Sequence, residues 1–472
     1  MNRSEHSPPD KPHDENSYAS PEPDDRPGLP SSVREEVPFW LANRSFWSMT
    51  VTQMLGAFND TIFKQFVLLL LVRVAVTPGG EAADLQWIGL AIFSLPFVLL
   101  SGTAGWLADR VSKWNVIVLS KIGEIVVMLA GVAAFATMRP VSYQGEQMLT
   151  SGLPWFVLAV LCLMGVQSTF FGPSKYAILP EISRTRDLPA FNGVFQMTTF
   201  VSLIVGVAVG GYLLDLFRGR LWGAAAVCVV IAVVGTATSL FVARRPAARP
   251  DLAYTPGAAF IGRDTWRLLS SDRTLLWSLL VYTLFWFAGG IIQPTVNAVG
   301  KLQFGLSNTM TSIMAAAMGL GIAVGCVLSA ALSRKQVRFR LVTIGAAGMI
   351  LCLVGTSIVS QFASSFADMA DTQRIGFWGS VPLLALTGMF GGMYAVPLQV
   401  FLQARPPNDM KGRVIGSMNL INWIAIIASA GVYGVFSLVV AVTSLPPSFV
   451  YGVTGLFLLP VLIFFHPPDA DL

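Results

Sequence analysis

Charge is scarce in this chain: Asp, Glu, Lys and Arg together supply 12% of its 472 residues. That is too little to keep an ordinary soluble protein of this length solvated. Histidine is scarcer still. His6 and His13 fall in a polar opening segment and His466 at the last apolar boundary, so none is placed for general-base work. The four cysteines, Cys162, Cys228, Cys326 and Cys352, stand singly within apolar runs, without a Cys-x-x-Cys spacing. That pattern argues against a metal site or a disulfide framework. A phosphate-cradling glycine loop is also missing, which argues against ATP-driven work. No cofactor, no metal and no enzymatic activity are expected.

What the chain has is apolar length. It is 54% hydrophobic, with a mean hydropathy of +0.64. Apolar runs of about 20 residues, enough to cross a bilayer as a helix, fall near 45–75, 84–107, 114–138, 153–180, 191–217, 221–243, 273–299, 307–332, 339–359, 376–403, 412–440 and 446–466. These predict an all-α polytopic membrane protein with twelve transmembrane helices and little left over for a soluble catalytic domain. The first 40 residues differ, with eight prolines, nine acidic and four basic residues. They read as a disordered tail with no secretory signal, so the first membrane helix is expected to direct insertion.

Basic residues in short connections stay on the cytoplasmic side. The even-numbered connections carry seventeen of them, among them Arg110, Lys113, Arg334 and Arg413, against six on the other side. Both termini are therefore expected in the cytoplasm, and the net charge of +5 follows from this bias without a nucleic-acid partner. The long basic stretch after the sixth run divides the spans six and six. Offset by 224 residues, Asp109-Arg110 falls on Ser333-Arg334, Phe170 on Tyr394, Pro173 on Pro397 and Lys175 on Gln399; at 223, Gly193 falls on Gly416 and Gln196 on Asn419. The expected organisation is a tail over 1–44, a six-helix half over 45–243, a cytoplasmic loop over 244–272, a second six-helix half over 273–466 and a short tail over 467–472.

Charge inside the first run demands an explanation. Asp60 and Lys64 lie within Gly56-Ala-Phe-Asn59-Asp60-Thr61-Ile-Phe-Lys64-Gln65. An ionised group at mid-bilayer costs roughly 2.5–3.5 kcal/mol on insertion scales, so such groups usually serve a protein-lined cavity. Their i,i+4 spacing, acid first, also permits a self-neutralising pair that only sets helix packing. Lys121 and Glu124, three apart, pose the same choice. Gly206, Gly210 and Gly211 in the fifth run have the small-residue spacing that permits close helix packing.

Two six-helix halves with cytoplasmic ends resemble the major facilitator superfamily. Gly105-Trp-Leu-Ala-Asp109-Arg110-Val-Ser-Lys113 resembles that superfamily's loop motif. The resemblance implies a conformational latch of Gly105, Asp109, Arg110 and Lys113, with Glu181, Arg334 and Arg413 near the same ends. Its charges pair the halves in one state and release them in the other. Three longer strings are similar to the bacterial lysophospholipid transporter branch, members of which also occur fused to acyltransferase and acyl-carrier synthetase domains. They are Thr52-Gln53 to Lys64; Phe171-Gly-Pro173-Ser-Lys175-Tyr-Ala-Ile-Leu-Pro-Glu181; and Leu402-Gln403-Ala-Arg405-Pro406 with Gly412-Arg413-Val-Ile and Asn419. Thr61 departs from that branch, which has asparagine there.

The membrane charges fit a lipid headgroup. Asp60, Lys64, Lys121, Glu124 and Lys175 all fall in the first half, with Asn59 beside them, whereas the second half offers neutral amides: Gln293, Asn297, Gln399, Gln403, Asn419 and Asn422. Lysines hold phosphate, an acid receives an amine, and an acyl chain follows apolar side chains. The resemblance thus implies a secondary transporter that flips lysophospholipids inward across the bacterial inner membrane, as a monomer, for reacylation by a separate acyltransferase. Two alternatives stay open: a proton- or ion-coupled carrier of small amphipathic solutes, and a non-transporting scaffold that docks an acyltransferase through the acidic tail.

Overall fold

In a bilayer, a backbone group without a partner costs several kcal/mol, and a helix satisfies them all within itself. Among the described residues, eleven helices are long and apolar enough to cross. The structure, a computed structural model, describes residues 43–472 except 73, 76–81, 138–140, 144–145, 151–153, 184–186, 248, 254–260, 334–335, 408–409 and 472. The tail expected over 1–44 lies outside the described residues except for its last two, and Arg334 lies outside them too.

The first six spans are α1 (Arg44–Leu71), α2 (Gln86–Arg110), α3 (Lys113–Thr137), α4 (Pro154–Ala177), α5 (Leu188–Leu216) and α6 (Leu221–Ser239). A short amphipathic helix, α7 (Arg263–Ser271), precedes α8 (Arg273–Ala298), which runs on through a π turn at Val299–Gln303. Then follow α9 (Asn308–Ser333), α10 (Arg340–Ala363), α11 (Met369–Ala404) and α12 (Lys411–Thr443). The twelfth apolar run is shorter than expected. It forms α13 (Phe449–Leu456) and α14 (Leu459–Phe464), because Pro460, which has no N–H, opens a second helix instead of continuing the first. We call the membrane side where α1 begins the terminal side, and the opposite one the far side.

Small strands join the connections. β1 (Val74–Ala75) and β2 (Ala82–Ala83) lie between α1 and α2, while β3 (Val141–Tyr143) and β4 (Glu146–Thr150) lie between α3 and α4. They form one far-side sheet in the order β2-β1-β4-β3, with β1 parallel to β4 and the other pairs antiparallel. On the terminal side β5 (Gln336–Val337) pairs antiparallel with β6 (Ala470–Asp471).

Two apolar cores organise the bundle. One draws on residues between Ile62 and Ala232, the other on residues between Leu269 and Phe465. Glycine sets the closest approach inside the second. A Cβ at Gly321 or Gly325 of α9 would lie 1.9 Å from the carbonyl oxygen of Ala385 or Met389, and one at Gly388 of α11 would lie 1.9 Å from that of Met318. Two small-xxx-small stripes therefore bring these backbones into direct contact. In α5, Gly206 and Gly210 serve α1: a Cβ there would meet Thr61 at 2.9 Å and the Ile62 oxygen at 3.0 Å. Gly211 faces the other half, with Ser312 Oγ only 2.2 Å from its Cβ position.

The two groups of helices touch mainly from mid-membrane to the far side. Ile204 meets Gly319, Trp87 meets Gly434, and Phe97 stacks on Trp423 with centroids 3.9 Å apart. Toward the terminal side, Gly105, Gly193, Gly412 and Gly416 have no neighbour within 4 Å of a Cβ position, and Gln196, Gln403, Arg413 and Asn419 are exposed. Among the described residues the ends of α5 and α12 on that side lack close contacts of this kind, consistent with a terminal-side opening.

Candidate functional site

The intramembrane charges of the first half sort into two sets. Glu124, 1% exposed, takes three donors: Asn59 Nδ2 gives to Oε1 at 2.7 Å, while Lys121 Nζ and Gln167 Nε2 (3.3 Å) give to Oε2. Lys121 is fully buried, and its amine occupies a gap between glycines, 3.4 Å from a Cβ position at Gly56 and 2.9 Å from one at Gly235. A fully dehydrated pair survives only when its remaining donors and acceptors are met. This one is built as a tie between α1, α3, α4 and α6, which explains why an i,i+3 pair tolerates so dry a position.

Asp60, Lys64 and Lys175 form the second set. All three are half-buried, and among the described residues none is joined to an opposite charge. The Asp60–Lys64 pair that the spacing permits does not form. Asp60 Oδ2 instead accepts from Ser168 of α4, and its buried Oδ1 has no partner. Lys64 turns to the Phe93 ring of α2, 5.4 Å from its centroid, and Lys175 lies 5.7 Å and 5.1 Å from the rings of Phe171 and Tyr176. An aromatic face supports a cation without neutralising it. Ser168 Oγ also lies 3.1 Å from Gln167 Oε1, its single proton shared with Asp60, so a polar chain connects Asp60 to Glu124.

The amides of the second half are less unified than their sequence suggests. Asn422 is buried and accepts from Thr283 at 3.0 Å, pinning α12 to α8. Gln399 is half-buried, while Gln403 and Asn419 are exposed on the terminal-side ends. Asn297 belongs elsewhere, in a buried far-side cluster across the halves. There Gln65 Nε2 donates to Asn297 Oδ1 (3.0 Å) and Ser312 Oγ (3.1 Å), and Asn297 Nδ2 donates to Gln86 Oε1 (2.9 Å).

Two acids extend that far-side contact. Asp84 Oδ2 accepts from Tyr433 of α12 at 2.6 Å, and Oδ1 from the Gln86 backbone N–H at 3.0 Å. Burial pushes the Asp84 carboxyl up to about 6, against the hydrogen bonds from Tyr433 and Gln86 that lower it. Asp215, at the end of α5, caps the start of α9: Thr309 donates its N–H and Oγ1, both at 2.7 Å, and Asn308 donates Nδ2 at 2.8 Å. Sequence reasoning missed Asp84, Asp215, Tyr433, Gln65, Gln86 and Ser168. For Ser168 a signal existed, since seven residues before Lys175 is the same helix face.

Among the described residues, no ion pair joins the loop motif to the second half. Lys113, 4% exposed, pairs with Glu181 at 2.5 Å within the first half, and Arg110 lies over the Trp106 ring. The Asp109 carbonyl accepts from Arg249 N at 3.0 Å, and Trp106 Nε1 donates to the Leu252 oxygen at 3.1 Å, so the segment after α6 packs on this loop near Gly105. Arg413 reaches Asp264 of α7 at 4.0 Å.

The sequence profile of the Major Facilitator Superfamily matches residues 46–430. The chain belongs to the Major Facilitator Superfamily. As a superfamily member it is a multi-pass membrane protein and a secondary transporter rather than an enzyme. It is 27% identical over 400 residues to a lysophospholipid transporter of Serratia proteamaculans, covering 83% of this chain and 88% of that one. A lysophospholipid transporter of Yersinia pestis is 25% identical over 395 residues, with 83% and 87% covered. Among solved superfamily folds, a D-xylose–proton symporter aligns with a TM-score of 0.66 at 14% identity over 90% of this chain and 98% of that one. A peptide-transporter-family (POT) structure aligns at 0.65, with 14% identity over 91% and 97%. These low identities speak for the fold alone.

Proposed function

We propose that this transporter carries lysophospholipids across the bacterial inner membrane by alternating access, with both termini in the cytoplasm and the substrate moving inward for reacylation by a separate enzyme. The observation that carries the reading is the unpaired set Asp60, Lys64 and Lys175 on one wall, close to apolar and aromatic side chains. A zwitterionic headgroup complements it: phosphate to a lysine, amine to the unpaired oxygen of Asp60, and one acyl chain along apolar surface. Gln399, Gln403 and Asn419 would close on the headgroup from the second half. The relatives' printed activity supports the same class of substrate. The buried Lys121–Glu124 pair, held by Asn59, is assigned a structural part, as is Asn422. Gly105, Asp109, Arg110, Lys113, Glu181, Arg334 and Arg413 are assigned to terminal-side closure in the opposite state.

The test is flipping of labelled lysophosphatidylethanolamine in proteoliposomes, beside its two-chain counterpart. Protein-dependent movement of the one-chain lipid alone is expected. The open Asp60 oxygen also suits a titrating site in a carrier of small solutes; flux of a soluble amphiphile that follows a pH gradient, with no lipid movement, would replace the lipid reading with that one.

A further inference from the structure

The nine residues of α7 stop one residue short of a membrane span, for only Asp272 separates Ser271 from Arg273. That residue is doubly fixed. Its carboxylate accepts from the Leu275 N–H at 3.0 Å, as the N-cap of α8, and from Arg405 Nε of the α11 end at 2.9 Å. So short and pinned a connection holds α7 at the level where the bilayer meets water. Its faces differ sharply. Thr265 (1% exposed) and Leu269 (0%) are buried, with Leu269 in the core of the second half. Arg263, Trp266, Arg267 and Ser270 are exposed at i, i+3, i+4 and i+7, one continuous stripe.

The two flanks of the stripe also differ. At about 100° per residue, Asp264 falls on one edge and Trp266 on the other. Asp264 is the edge reached by Arg413 at the start of α12, beside the terminal-side opening. Trp266, 55% exposed, is thereby turned away from that edge. Arg267 meets Asp264 only at 3.9 Å, with both side chains more than two-thirds exposed, a pair too loose and too wet to hold either group. A tryptophan flanking two arginines on a helix confined to the interface is the arrangement that binds a charged leaflet, the ring at headgroup depth and the guanidinium groups on phosphate.

We infer that α7 is an interfacial anchor whose Arg263–Trp266–Arg267 stripe binds anionic phospholipid headgroups of the terminal-side leaflet. The anchor belongs to the second half. Asp272–Arg405 ties it to the end of α11, so the leaflet holds that half by its rim while the first half moves. This site is separate from the intramembrane charges and does not depend on which solute they carry.

The experiment places a fluorophore on Ser270→Cys in the full-length protein and reconstitutes it with brominated phosphatidylglycerol or brominated phosphatidylcholine at equal mole fraction. The parent chain, with its own four cysteines, gives the labelling background. Quenching by the anionic lipid should be at least about twofold stronger, well under the roughly 30-fold local enrichment that two basic residues at a charged surface can give. The preference should vanish in R263Q/R267Q and persist in R263K/R267K, and Trp266→Ala should weaken quenching by both lipids. Equal quenching by the two lipids in the parent background overturns the inference, as does a preference that survives R263Q/R267Q. Protection of the fluorophore that appears only as protein density rises overturns it as well, since a second copy would then cover the stripe.

Discussion

Acid on the far side should tighten the closure there, and Asp84 sets the size of the effect. In the closed arrangement its carboxylate accepts from Tyr433 OH at 2.6 Å and from Gln86 N–H at 3.0 Å. Burial raises it to about 6, more than those hydrogen bonds lower it. When the halves part on this side, water returns and the group reverts to about 4. The closed form therefore binds the proton more tightly, so falling pH favours closure. The gain begins near pH 6, as the closed form takes up its proton, and is complete below about pH 4. Roughly two units at about 1.4 kcal/mol each give about 2–3 kcal/mol, a shift of roughly 30- to 100-fold in the closed-to-open ratio. Labels at Arg220→Cys and Leu445→Cys, on exposed far-side connections of the two halves, report the distance by pulsed electron paramagnetic resonance. The short-distance population should grow between about pH 7 and pH 4, and Asp84→Asn should flatten that response. A pH-independent distribution, or opening on acidification, would refute the reasoning.

Other consequences follow from single contacts. Asp215→Ala strips the α9 start of its cap from the opposite half and should open the far side by about 2 kcal/mol, seen with the same labels; an unchanged distribution would count against the cap as a closing contact. Lys121→Met leaves Glu124 buried with only amide donors, so the thermal midpoint in detergent should fall in line with a loss of about 3–5 kcal/mol, whereas Lys64→Gln should leave it near the parent value. Gly388→Ala drives a methyl group into the Met318 carbonyl and should cost about 1–3 kcal/mol or more by the same measurement, since backbone on both sides leaves nowhere to yield.

Some of this was legible in the sequence. Hydropathy locates the spans because the bilayer demands long apolar helices, and it misjudges only the last one, where Pro460 splits the run. The glycines of α5 announce close packing, and Gly206, Gly210 and Gly211 all prove to face another backbone or a side chain at short range. Lys121 and Glu124 pair as their spacing allows. Asp60 and Lys64 have equally good spacing and do not pair, because Ser168 and Phe93, from two other helices, offer partners that one-dimensional periodicity cannot see. The far-side closure was invisible for the same reason. Nothing in the sequence singles out Asp84, Asp215, Gln65 or Gln86, and Asn297 reads as one of the amides opposite the first-half charges, until the two halves bring them together.

In the proposed transporter, Asp60, Lys64 and Lys175 handle substrate while Lys121 and Glu124 hold the helices. The most direct test of this division is lysophosphatidylethanolamine flipping by Asp60→Asn in proteoliposomes, with the thermal midpoint taken on the same preparation. Flux should fall by about tenfold or more, the scale of one lost charge-assisted contact, at an unchanged midpoint. Parent-level flux in the variant, or a loss matched by a falling midpoint, would contradict that division.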